Sequence, residues 1–153
     1  MQIPQTKLPI NDPARRIAEF FTYTTGRLAA IATGATVNTQ INIQADADFV
    51  LEKLTFSADL AGVAQTFNGM IVPNVSVLLT SSGSASQLMQ AAVPIASLFG
   101  FGALPFILPY PKVLPANSQL QIQLVSFEAA VTPAITLNFH GRKVYLLSRP
   151  VGG

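Results

Sequence analysis

The chain has 153 residues, half of them apolar and only 10% charged, with a formal net charge of +2 and no cysteine. That length fits one domain with a sizeable core, and the missing thiols exclude disulfides, thiolate nucleophiles and zinc–thiolate sites together. Nine Lys and Arg, scattered and without interleaved aromatics, exclude the electrostatic footprint of a nucleic-acid binder. A typical soluble domain carries about 25% charged residues. This surface is therefore either rich in Ser, Thr, Asn and Gln or covered by partners.

In chain order, residues 1–10 read as an extended arm. Pro4 and Pro9 interrupt any helical period, and no apolar stretch of signal-peptide type is present. Asp12 and Pro13 are suited to the N-cap and first position of a short helical turn that would place Ile17 and Phe20 or Phe21 on one side. The same stretch also reads as an irregular lead-in to a strand through Thr22, Tyr23 and Thr24. Residues 1–35 are thus predicted as arm and lead-in, and residues 36–153 as the folded domain.

Residues 36–44 alternate cleanly. Val37, Thr39, Ile41 and Ile43 share one face, and Asn38, Gln40, Asn42 and Gln44 the other. Such period-two patterning marks a half-buried strand. A turn at Ala45–Asp48 leads to a second strand over 49–58, a loop over 59–70 and a third strand over 75–80. Residues 88–95 read as a strand or a short connection. The apolar tract 91–108 is broken by Pro94, Gly100, Gly102 and Pro105, which argues against a membrane helix. A short strand over 106–108 is expected to be closed by Pro109 and Pro111. Strands over 120–127 and 135–147 complete the set. Seven or eight short strands with turn signals between them predict an all-β fold, a β-sandwich of jelly-roll type with an extended N-terminal arm. A plain Greek-key sandwich fits nearly as well.

No catalytic constellation is predicted. His140 is the only histidine and falls on the polar side of its strand. Asp46 and Asp48, with Glu52 beyond them, lack the ligands and glycine of a calcium loop and read as a polar turn. No serine sits in a G-x-S-x-G elbow. Gly100-Phe101-Gly102 lacks the third glycine and the context of a dinucleotide loop. No cofactor and no metal are expected. The aromatics instead cluster as Phe20, Phe21 and Tyr23, and as Phe99, Phe101, Phe106 and Tyr110. The Phe-Gly-Phe-Gly loop has two readings: tucked under a neighbouring subunit, or folded over the end of its own sandwich.

The run from 108 to 124 contains Leu108-Pro109-Tyr110-Pro111 and then Pro115-Ala116-Asn117-Ser118-Gln119-Leu120-Gln121-Ile122-Gln123-Leu124. The closing strand then carries Gly141, Arg142, Lys143 and Tyr145. This last third of the chain resembles small virion structural proteins of tailed bacteriophages, of the head decoration or cement kind. The resemblance implies a non-enzymatic β-sandwich located in the virion and assembled in the host cytoplasm. Its implied partners are the major capsid protein and copies of itself, with a trimer expected over a dimer and with neither nucleic acid nor membrane. On that reading Arg15 and Arg16 pair with capsid carboxylates, and Phe20, Phe21, Phe99, Phe101 and Tyr110 supply contacts. Alternatives are a jelly-roll coat, neck or tail subunit, and a carbohydrate-binding sandwich using Tyr110 and Tyr145. The absence of Trp counts against the last.

Overall fold

Alternation dictates the architecture: each long strand has one apolar face to bury, and two sheets laid face to face bury both sets. The computed structural model describes residues 16–60, 71–82, 86–129 and 133–146. The arm expected over 1–10, the start of the helical turn expected after it and most of the loop expected over 59–70 lie outside the described residues. The strands are β1 (Arg16–Thr24), β2 (Thr36–Asn42), β3 (Asp48–Asp59), β4 (Val75–Ser81), β5 (Ser86–Gln87), β6 (Val93–Pro94), β7 (Phe106–Leu114), β8 (Gln119–Ser126) and β9 (Ala134–Leu146). A single helical turn, α1 (Ile95–Leu98), precedes β7.

Sheet I has the order β1-β9-β3-β7, and sheet II the order β2-β8-β4-β5, with β6 also paired to β4. Because β5 and β6 pair with different stretches of β4, they act as one strand broken by bends. That leaves eight strand positions, four to a sheet. Going along the chain, β1, β3, β7 and β9 lie in one sheet, while β2, β4, the broken strand and β8 lie in the other. This is the double Greek key of a jelly roll, and the plain Greek-key alternative is set aside.

The core between the sheets is built from the predicted faces. Ile41 and Ile43, Phe49, Leu51, Leu54 and Phe56, and Val75, Val77 and Leu79 all point inward. So do Leu120, Ile122 and Leu124, and Ile135, Leu137 and Phe139. Each fully buried side chain of this size contributes about 1.5–3 kcal/mol. T-shaped pairs reinforce the packing, with Tyr23 and Phe49 at 4.9 Å and Phe99 and Phe139 at 5.7 Å between ring centroids.

Three expectations need correction. The sandwich begins well before Thr36: β1 pairs with β9 over nine residues, from Arg16↔Leu146 to Thr24↔Asn138, and Tyr23 and Ile31 are core residues. From Arg16 to Thr24 the chain is strand rather than a helical turn, so Ile17 shares a face with Phe21 and not with Phe20. Of the two readings of residues 88–95, the short connection holds: they are mostly bends between two-residue strands. Finally, β7 does not stop at Pro109 but runs to Leu114. It can do so because it is the edge of sheet I, where a missing N–H costs no ladder bond. Its register jumps from Lys53↔Ile107 to Leu51↔Lys112, so Leu108-Pro109-Tyr110-Pro111 bulges from the edge.

The turn between β7 and β8 explains the Asn-Ser pair in the sequence. Asn117 has φ 62°, a left-handed conformation that Asn tolerates better than most residues. The Ser118 N–H donates to Pro115 O at 3.2 Å, and the Asn117 N–H donates to Ile43 O at 3.1 Å. Asp48 Oδ1 accepts from the Ala116 N–H at 2.9 Å, so the acidic turn before β3 holds the next loop in place.

Candidate interaction surfaces

The two outer faces of the sandwich carry different chemistry. On sheet I the registers align Phe20, Arg142, Val50 and Val113 in one row across all four strands. The next row is Thr22, His140, Lys53 and Ile107. Phe20 is 77% exposed and Ile107 63%, and Val113 is also exposed. Tyr110, on the bulge, is 86% exposed, and Leu104 beside β7 is similarly open. Large apolar groups therefore stand at both margins of this face. Between them Arg142 Nε meets Glu52 Oε1 at 2.9 Å. Glu52 is the extra residue of a bulge in β3, where Leu51↔Gly141 is followed by Lys53↔His140.

His140 sits in the middle of this face, held by both ring nitrogens. Nδ1 and Thr22 Oγ1 are 2.9 Å apart, and Nε2 and Thr55 Oγ1 are 2.8 Å apart. In the neutral ring one nitrogen donates and the other accepts, and a hydroxyl can serve either role. Burial first, and the charge of Lys53 second, push the His140 pKa below its ordinary value. The unfolded chain therefore takes up the proton first. The stability tied to His140 is fully present above about pH 6.5 and declines as pH falls through that value toward the folded-state pKa. Urea midpoints at pH 7.5 and pH 5.5 should thus fall further in the wild type than in His140→Gln. Equal falls would show that the clamp contributes nothing to the pH dependence.

Sequence reasoning missed a second buried polar cluster. Lys143 lies on the inward-facing side of β9, in step with Ile135, Leu137 and Phe139, and is only 3% exposed. Its Nζ donates to Gln44 Oε1 and to both Asp46 oxygens, at 3.2 and 3.1 Å. It also lies 4.1 Å from the centroid of the Phe21 ring, a cation–π geometry. The hydrogen bond from Lys143 holds the Asp46 carboxyl below its ordinary range. The signal was legible in principle, since a lysine at the apolar parity of a strand needs a partner.

The predicted contact residues are dispersed. Arg15 lies outside the described residues, and Arg16 is the first residue of β1. Phe20 is on the outer face of sheet I, whereas Phe21 packs inward, 4.8 Å from Tyr23 between ring centroids. Phe99 is corrected to a core residue, 2% exposed. Phe101 is half-buried at 5.1 Å from Phe56. The loop that carries them folds over its own sandwich because its backbone is paired: Gly100 N–H donates to Leu54 O, and Phe56 N–H donates to Gly100 O. Tyr110 and Phe20 are left as exposed aromatics at opposite margins of the same sheet. Among the described residues no group of three His, Cys, Asp or Glu is arranged to hold a metal ion, and no helix is long and apolar enough to cross a membrane.

These features define the chain as a jelly-roll sandwich with an apolar-studded outer face on one sheet. No protein-family model and no curated protein matches the sequence. Among solved structures it is similar to VP2 of infectious bursal disease virus in a subviral particle, at 12% identity and TM-score 0.36, over 90% of this chain and 35% of that one. A structure of the Gx strain of the same virus matches at 14% identity and TM-score 0.35, over 86% of this chain and 32% of the other. The chain spans about a third of those chains, and a likeness of this degree carries no functional argument.

Proposed function

We propose that this chain is a non-enzymatic virion structural protein, a decoration or cement subunit that stabilises a phage head by bridging its neighbours. The outer face of sheet I carries the reading: Phe20, Ile107, Tyr110 and Val113 are exposed on a chain with few charges to keep it apart from partners. The exposed apolar groups stand at the two margins of this face, where a partner spanning the sheet would cover both, and aromatic residues are favoured at interface cores. The partners are the major capsid protein and further copies of this chain, arranged as a trimer. The segment over 1–15 leads directly into edge strand β1, a position from which an extended arm can add to a neighbouring sheet. Repetition on a lattice then multiplies weak contacts.

Light scattering on the protein alone, then mixed with head shells stripped of accessory proteins, tests this. A small defined oligomer that saturates the shells is expected, with Phe20→Glu/Ile107→Glu lowering occupancy at least tenfold while remaining folded. Full occupancy by that variant would remove sheet I from the interface. The jelly-roll topology also favours a second reading, a coat, neck or tail subunit. Closed shells or rings formed without added heads would establish it.

A further inference from the structure

The outer face of sheet II is lined by amides. The registers place Gln40, Gln121 and Thr80 in one row across β2, β8 and β4, and Asn38, Gln123 and Leu78 in the next. Together they line an open groove of about 620 Å³ that contains no charged side chain, a volume within the usual range for small-ligand sites. Gln123 Nε2 donates to Asn38 Oδ1 and Gln40 Nε2 to Asn42 Oδ1, each at 3.3 Å, long bonds that leave most of the donors and acceptors of both rows free.

We propose that this groove binds a neutral glycan chain. The absence of charge removes the attraction that an acidic polymer requires, and also the desolvation cost that a charged lining would impose on a neutral one. Amides and hydroxyls can both donate and accept, which matches ligand hydroxyls that do the same. Adjacent strands lie about 4.8 Å apart, so each row repeats across the sheet at a spacing close to one sugar unit of an extended chain. Two parallel rows can then address the two hydroxyl-bearing edges of each ring, with Leu78 supplying an apolar contact for the C–H surface. The site lies on the sheet opposite the proposed capsid-facing surface, so one chain can hold a lattice and a glycan together. Its failure would leave the decoration reading intact.

The test is NMR titration of the full chain with cellohexaose, mannohexaose and maltohexaose, with a heparin hexasaccharide as the acidic comparison. At least one neutral oligosaccharide should give saturable shifts centred on Gln40, Gln121 and Gln123. Gln40→Ala/Gln121→Ala should weaken that binding about 25-fold, the worth of two neutral hydrogen bonds. Both side chains point outward, and an unchanged far-ultraviolet spectrum would confirm that the variant is folded. No response to any neutral sugar at millimolar concentration would overturn the proposal. So would equal binding of heparin, or shifts centred on Tyr110.

Discussion

Replacing Gly141 with alanine is expected to destabilise the fold by about 3 kcal/mol or more, a large share of the 5–15 kcal/mol that holds a domain together. Gly141 lies in β9, between β1 and β3 in sheet I. The added Cβ would overlap the Val50 carbonyl oxygen, sit 2.9 Å from the Val50 carbonyl carbon and press on the Phe49 ring. The obstruction is backbone on the neighbouring strand, so it cannot swing aside as a flexible side chain would. The cause is the bulge at Glu52, which brings the β3 backbone against β9 immediately beside Leu51↔Gly141. The urea midpoint should drop by roughly 1 M or more. Gly102→Ala, where no atom lies within 4 Å of the added carbon, should change stability by no more than about 0.5 kcal/mol. Equal midpoints for the two variants would mean that β3 and β9 can separate at little cost.

The second large effect lies at Lys143 and is asymmetric. Asp46→Ala strands an ammonium that is 3% exposed, with the Gln44 carbonyl and the Phe21 ring as its remaining partners. Removing one member of a buried pair is costly because the survivor cannot reach water. Lys143→Met keeps a long apolar side chain against Phe21 and Tyr23 and leaves behind a carboxylate whose side chain is already 48% exposed. The methionine variant should therefore melt within about 3 °C of the wild type, and Asp46→Ala should fall by at least twice that margin. Thermal unfolding followed by circular dichroism distinguishes the two. The opposite order would show that the ammonium rehydrates freely.

Strand identity was legible wherever the two faces differ in chemistry. Residues 36–44 and 120–127 alternate apolar with Asn and Gln, and β2 and β8 followed that pattern closely. In β7 the prolines read as terminators in sequence, yet the strand runs through them because an edge strand tolerates them. For β1 the sequence left a helical turn and a lead-in to a strand through Thr22–Thr24 both open, and the strand extends further back, to Arg16. Its inward residues Phe21 and Tyr23 are interleaved with Phe20, so no alternation announced a strand. The jelly-roll order depends on pairings between residues more than a hundred positions apart, such as Thr22 with His140, and no local pattern encodes them. The Phe-Gly-Phe loop offered two destinations, and backbone pairing with β3 decided between them. The amide rows were present in the sequence as the polar halves of β2 and β8. Only the register brought them side by side.

The two margins of sheet I are not equivalent. At β7, Pro109 and Pro111 have no N–H to offer, and the bulge carries the chain away from the line of the sheet. At β1, nine regular residues without a proline leave one side of the backbone unpaired among the described residues. An endless ribbon needs two receptive margins per copy, one to give and one to take, and this sheet has one. Strand addition at β1 is a single event: once an arm or another copy has docked there, sheet I has no second place to grow. Sheet I therefore cannot extend itself into a ribbon by strand addition, and the remaining regular edge of the sandwich is β2 on sheet II.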